Sequence, residues 1–312
     1  MKAVAATFVE TVLPAEAYVD RPRSASDCRF ADYLQLVRPR VAVMVLVTVA
    51  LGGWLAAPGV APPTALWHAV LGVGLVTAGA SILNQLLERD TDARMHRTRH
   101  RPLPAGRLGA YEVLMLGSTV SVTGFVYLAL TVPDPAAALV TALTFVLYVF
   151  AYTPTKRTTT LNTLIGAVPG ALPPVIGWTA VTGRIDAGAV ALFLLVFVWQ
   201  VPHFLAIAWM YREDYRAAGL KMLPVDDPRG DATARQMLLY GLTLVPVSLW
   251  PLALHLAGPA YAIGAIGLAL AFLWPIGAFC RRRSIATARR VLRASLLYLP
   301  GILVLLLTSK YF

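Results

Sequence analysis

The sequence predicts an all-α membrane protein, a bundle of nine transmembrane helices. Three observations carry that reading. Of 312 residues, 58% are hydrophobic and 14% charged, with a mean hydropathy of +0.66. A soluble domain is about 45–50% apolar and about 25% charged. The apolar residues also come in long runs, and about 20 of them suffice to cross a hydrocarbon core. Finally, the basic residues fall almost wholly on alternate connections between the runs.

In chain order the spans read 41–57, 66–87, 110–131, 136–153, 163–182, 187–210, 236–256, 260–280 and 291–308. Turn residues punctuate them: Pro58–Pro63 after the first, Pro133–Pro135 after the third and Gly258–Pro259 after the seventh. Pro169-Gly170 and Pro173-Pro174 interrupt the fifth, which is tolerated where a span is buried in protein or lines a cavity. The other connections are polar. The segment after the eighth span, with Arg281, Arg282, Arg283, Arg289 and Arg290, reads as a positive-inside loop or a short interfacial helix.

Of 27 Lys and Arg residues, 25 lie before the first span, in the 2–3, 4–5, 6–7 and 8–9 connections or, as Arg293, at the adjoining start of the ninth span. Arg184 and Lys310 stand on the other side. The net charge of +11 is therefore an orientation signal and not the footprint of nucleic acid. It sets the N-terminus in the cytoplasm and the C-terminus outside. Residues 1–31 lack periodicity and read as a mobile tail, with residues 32–312 as the membrane domain. The first forty residues contain no compact apolar run of the kind a cleaved signal peptide needs. Cys28 and Cys280 are isolated thiols and suggest neither a disulfide framework nor a CxxC site.

The chemistry concentrates at the cytoplasmic ends of spans 2, 4 and 6. Asn84, Glu88 and Asp92 are spaced i, i+4, i+8 and stack on one helix face. Their oxygens suit Mg²⁺, a hard cation that shares its coordination with phosphate. Arg97 and Arg101 follow in the next loop. Acids holding a metal beside guanidiniums holding phosphate oxygens are what a metal-diphosphate requires. The bland alternative is that the acids pair with nearby arginines. Lys156 and Arg157, in a hydroxyl-rich connection, read either as phosphate contacts or as ordinary cytoplasmic charges. In span 6, Gln200 and His203 lie in apolar surroundings beside Pro202, and Asp214 belongs to a second acidic patch beyond the span. Ionisable groups within a membrane tend to be functional, although a lone buried histidine is often a hydrogen-bonded core residue. Pro-broken spans with intramembrane His and Gln also suit a secondary transporter.

These residues carry a family pattern. Asp32-Tyr33-Leu34 with Arg38-Pro39-Arg40-Val41, then Asn84 to Asp92 with Met95-His96-Arg97-Thr98 and Arg101-Pro102-Leu103, resemble the UbiA superfamily of intramembrane prenyltransferases. Tyr152-Thr153, Lys156-Arg157, Asn162-Thr163, Gly166, Gly170-Ala171, Pro173-Pro174 and Ile176-Gly177-Trp178 continue the likeness. Together with Trp199-Gln200, Pro202-His203-Phe204, Asp214-Tyr215, Ala218-Gly219 and Met222-Leu223-Pro224, they resemble its heme-farnesylating branch. The likeness runs from about Asp32 to about Leu307. The chain departs from the superfamily's first motif at Gln85 and Glu88, where Asp is usual.

The resemblance implies a nine-helix fold with one cavity open to the cytoplasm, in a bacterial inner membrane. It implies transfer of farnesyl from farnesyl diphosphate to a vinyl group of heme B, with Mg²⁺ as cofactor. Asn84, Glu88, Asp92 and Asp214 would hold the metal. Arg97, Arg101, Lys156 and Arg157 would bind diphosphate. Gln200 and His203 are the heme-binding candidates, with His203 positioning heme, ligating iron or relaying a proton. Asn84, Glu88, Asp92, Lys156, His203 and Asp214 form the expected catalytic set. The product implies heme-copper oxidase assembly factors as downstream partners. Another UbiA-type acceptor, such as a quinone precursor, chlorophyllide or a lipid, is the alternative within the same fold.

Overall fold

The computed structural model describes residues 29–59 and 63–310. Nine of the helices among the described residues are long and apolar enough to cross a membrane. They are α1 (Pro39–Ala56), α2 (Thr64–Arg94), α3 (Ala110–Thr131), α4 (Pro135–Thr155), α5 (Asn162–Thr182), α6 (Ala187–Met210), α7 (Asp231–Ala253), α8 (Pro259–Arg281) and α9 (Ile285–Ser309). Three short helices, Arg29–Val37, Arg212–Ala217 and Leu223–Asp226, lie outside the spans. The expected mobile tail falls mostly on residues 1–28, outside the described residues, as do residues 60–62 of the first turn.

The helix ends follow local chemistry. Asp134 caps α4 by accepting from the Ala136 N–H (2.8 Å), ahead of Pro135 at the first helical position. Asp186 does the same for α6 through the Gly188 N–H (3.0 Å). Ser284 and Thr287 form a capping box at α9. That box starts α9 six residues earlier than its apolar run suggests, so Arg289, Arg290 and Arg293 ride on its first turns and not on a connecting loop. Likewise α2 continues to Arg94. The polar stretch Glu88–Arg94 is helical because it is anchored from outside the helix, as described below.

The bundle is a ring with α2, α5 and α6 as its most buried members. Helix α1 packs on α2 and α5, α2 on α3, α6 on α7 and α9, and α8 between α7 and α9. A contact of α9 with α1 closes the ring. Two interfaces depend on small residues. A Cβ on Gly177 of α5 would lie 1.8 Å from the Val49 carbonyl oxygen of α1, and one on Gly52 2.0 Å from that of Pro174. Between α2 and α3, a Cβ on Gly79 would meet Ser121 Oγ at 2.1 Å. Lipid supplies no hydrophobic drive between helices, so close backbone approach and dispersion must hold them.

Two spans are irregular. In α4, residues Leu147–Tyr152 form a π-helical turn. Pro154 has no N–H, and the Thr153 N–H reaches back to the Tyr148 carbonyl. In α5, Pro169, Pro173 and Pro174 break the helix at Leu172. The amide nitrogen of Gln200 donates to the Ala167 carbonyl (3.3 Å), beside Gly170, whose missing side chain makes room for it.

Filling the α1–α5 seam should unseat the ring. Gly177→Val is expected to destabilise the protein by at least roughly 1–3 kcal/mol, the usual cost of overpacking. Gly267→Ala, where an added Cβ meets nothing, should be neutral. Melting curves in detergent for both variants would check this, and equal melting temperatures would refute the seam.

Candidate active site

One end of the bundle carries nearly all its buried charge. Asn84, Glu88 and Asp92 stack on the last turns of α2, as their spacing predicts. Asn84 and Asp92 are buried. Each has a partner on another element. The Asn84 amide nitrogen donates to Thr153 Oγ1 (3.0 Å), at the end of the π turn of α4. Glu88 is ion-paired to Lys156, just past α4, and its second oxygen lies 3.9 Å from the Arg38 guanidinium. Asp92 pairs with Arg101 at 2.5 Å. Lys156 also sits 4.3 Å over the Tyr152 ring. Two carboxylates thus face three cations within a few residues' width.

Electrostatics fit that excess. Burial alone would lower the Lys156 ammonium, but the Glu88 carboxylate holds it above the usual lysine range. Arg101 is pushed below its ordinary value by burial and by the like charge of Arg38, with Asp92 offsetting part of this. An anion seated here would relieve the crowding of Arg38, Arg101 and Lys156.

Arg38 belongs to the Arg38-Pro39-Arg40-Val41 run of the family pattern but is not among the site residues expected from the sequence. It joins helix Arg29–Val37 to α1 in a left-handed conformation (φ 53°), which non-glycine residues rarely adopt, immediately before Pro39. Its Nε is buried without a partner. Such strain persists where the surroundings over-determine it, and here it aims the guanidinium at Glu88. An arginine before a proline at a span's start was the available signal.

Gln85, the departure from the superfamily motif, has a structural task. Its amide nitrogen donates to the Leu36 and Gln35 carbonyls (2.7 and 3.3 Å). It thereby caps the carbonyl end of helix Arg29–Val37. A carboxylate there would repel those oxygens. Buried Asp32 holds the same helix from its other end, through Arg107 (2.9 Å).

The second region docks on the first. Met95 packs with Ala208, Ala218, Leu220 and Met222. Arg97 lies 4.8 Å over the Tyr211 ring and donates to the Tyr215 hydroxyl (3.4 Å). Asp214 is half-buried on helix Arg212–Ala217, between those two tyrosines. The Lys221 N–H donates to the Lys156 carbonyl (2.8 Å), and Asn162 donates to the Lys221 carbonyl (2.6 Å). Connections 2–3, 4–5 and 6–7 therefore form one surface. Among the described residues no three His, Cys, Asp or Glu converge at metal-holding distance. Arg157 is exposed at the rim.

Gln200 and His203 lie deeper on α6. Gln200 is buried, its nitrogen donating to Ala167 and Val196 carbonyls. His203 is half-buried, stacks on Trp199 (4.9 Å between ring centres), and shares a 2.7 Å hydrogen bond with Ser295 of α9.

Comparison with known proteins agrees with this layout. Residues 45–299 match the UbiA prenyltransferase family. A protoheme IX farnesyltransferase from Solibacter usitatus is 43% identical, across 89% of this chain and 98% of its own length. One from Salinibacter ruber is 45% identical, across 90% and 99%. A UbiA homologue from Archaeoglobus fulgidus, solved bound to GPP and Mg²⁺, shares the fold at a TM-score of 0.64 and 17% identity, over 90% of this chain and all of its own. With buried charges gathered at one end of an apolar helix bundle, the chain belongs to the UbiA prenyltransferase family.

Proposed function

We propose that the chain transfers the farnesyl group of farnesyl diphosphate to a vinyl group of heme B, releasing diphosphate and, after water adds, heme O. The observation that carries this is the likeness to protoheme IX farnesyltransferases over nearly their whole length. The site supports it physically. A charged mouth at the end of an apolar bundle suits a substrate with a diphosphate head and a hydrocarbon tail.

Breaking the allylic C–O bond places negative charge on diphosphate. Arg38, Arg97, Arg101, Lys156 and Arg157 offer cations where that charge develops, the first, third and fourth partly shielded from water and Arg97 and Arg157 exposed at the rim. Lys156 and Arg101 are already placed by Glu88 and Asp92, so little reorganisation is needed. The donor set also fits Mg²⁺. Asn84 Oδ1 is a buried acceptor with no partner, one turn below Glu88. Asn84, Glu88 and Asp92, with Asp214 from the facing segment, would hold the ion, which when bound neutralises the departing diphosphate. The allylic cation is then attacked by the electron-rich vinyl group. The resulting porphyrin-side cation takes water and loses a proton.

Heme B would be held against α6, at His203, with Gln200 behind it. The mouth would face the cytoplasm of a bacterial inner membrane, the C-terminus lying outside, because the basic connections gather there. The product would pass to heme-copper oxidase assembly factors.

Purified protein given heme B, farnesyl diphosphate and Mg²⁺ should yield heme O by mass spectrometry. No product beside an active control enzyme would sink the assignment. Asp92→Ala should abolish turnover in a protein that still folds, at a lower melting temperature because Arg101 loses its buried partner, and chelation should abolish turnover of the wild type without that shift. Lys156→Met should raise KM for farnesyl diphosphate about ten- to a hundredfold, as expected for a lost hydrogen bond to a charged group. Because the Lys156 pKa is raised, its charge persists below that value and is lost only above it. Wild-type KM should therefore show no lysine step between about pH 6 and about pH 9.

A further inference from the structure

We propose that Ser295 of α9 is a positioning residue that fixes the tautomer of His203, presenting the Nε2 lone pair as an axial base to the iron of the substrate heme. The inference rests on the heme-farnesylating reading above. It ranks the three roles open to His203 and adds a residue that neither motif contains.

Hydrogen-bond accounting at Ser295 fixes the tautomer. Ser295 is buried, and its hydroxyl has one proton to give and lone pairs to receive. Two polar atoms sit 2.7 Å from its Oγ: the Leu292 carbonyl oxygen and His203 Nδ1. A carbonyl oxygen can only accept. If the hydroxyl proton went to Nδ1, then Oγ and the Leu292 oxygen would face each other at 2.7 Å with no proton between them, a repulsive contact away from water. If the proton goes to Leu292, Oγ accepts from Nδ1–H and both contacts are attractive. The second arrangement leaves Nε2 unprotonated. Among the described residues, Nε2 forms no hydrogen bond.

The surroundings hold this geometry. The Trp199 indole N–H donates to the Ser295 carbonyl (2.9 Å), so α6 grips the backbone of the residue that orients its own histidine. Trp199 also stacks on the His203 ring, and Phe204 meets its edge (5.3 Å). With the ring plane, tautomer and helix contact all set, Nε2 is an acceptor and not a proton donor. A neutral imidazole held through its other nitrogen is the usual form of a metal-binding histidine. A proton relay would need Nε2–H at the start of the cycle.

The test titrates purified protein with ferric heme B and reads both affinity and the Soret band. Wild type should show the spectrum of imidazole ligation, and His203→Ala should lose it. Ser295→Ala should weaken heme binding roughly tenfold or more, in line with removal of a group that orients a metal ligand, and should shift the Soret band. Ser295→Thr, which keeps the hydroxyl, should restore both. Should the alanine variant not fold, Ser295→Cys, close in shape but a poor hydrogen-bonding group, should show the same loss. Unchanged affinity and spectrum in a folded Ser295→Ala or Ser295→Cys variant would overturn the proposal, and so would an imidazole-type spectrum surviving in His203→Ala. Imidazole-type binding that depends on Ser295, without any farnesyl transfer beside an active control, would instead sink the reaction while leaving the positioning role standing.

Discussion

A carboxylate at the end of an apolar span cannot be left alone, and the site is organised around Glu88 for that reason. Removing a charge from water costs several kcal/mol even after relaxation, and an unpaired partner of a buried ion pair typically costs about 3–5 kcal/mol. Glu88 meets this by drawing in Lys156 from the far end of α4 and Arg38 from the segment before α1. Those two cations approach only because their backbones are unusual. Lys156 follows a π turn and a proline, and Arg38 sits in a left-handed conformation. The π turn of α4 and the left-handed Arg38 thus converge on one largely shielded acid. The same constraint explains why the end of α2 stays helical beyond the apolar run that predicts it.

An arrangement of this kind is costly if it serves stability alone. Well-packed apolar residues commonly match or exceed a buried ion pair in stabilisation. Here three cations crowd two carboxylates, Arg101 is depressed by the charge of Arg38, and two buried polar atoms, Arg38 Nε and Asn84 Oδ1, have no partner. Mutual neutralisation would leave neither a surplus cation nor an orphaned acceptor. Both become favourable if a polyanion and a metal ion are the missing partners. The mouth is better understood as half of a complex than as a finished ion-pair network.

Much of this was legible in the chain. The nine spans follow from apolar runs, and the stacking of Asn84, Glu88 and Asp92 from helical periodicity alone. Their partners were less so. Nothing in local spacing relates Glu88 to Lys156, which lies 68 positions away, or to Arg38. Pairings of that range are decided by which helices touch, and the small-residue seams that set helix neighbours are spread thinly along the sequence. The start of α9 was missed because arginines at a helix terminus look like a loop when only hydropathy is weighed, whereas the Ser284–Thr287 cap decides the matter. Gln85 illustrates the converse. As a motif position it reads as a lost ligand, but in the fold its amide answers carbonyls that an aspartate could not.

The deeper polar groups differ from the mouth in one respect that bears on the chemistry. An allylic cation is quenched by whatever free nucleophile it meets first, so a bundle that generates one must leave its interior polar atoms occupied. Gln200 gives its amide protons to two carbonyls, the Trp199 N–H is held by Ser295, and the Ser295 hydroxyl lies between Leu292 and His203. Among the described residues, His203 Nε2 on this face of α6 is left without a hydrogen bond. His203 precedes Met210 by seven residues, which places it about 10 Å down α6 from the mouth. A farnesyl chain spans that depth easily, so an exposed lone pair there would compete with the acceptor for the cation. Coordination to a heme iron, as proposed above, would remove that competition and bring the porphyrin to the reacting end. His203 would then be silent toward the cation only when the correct acceptor is bound.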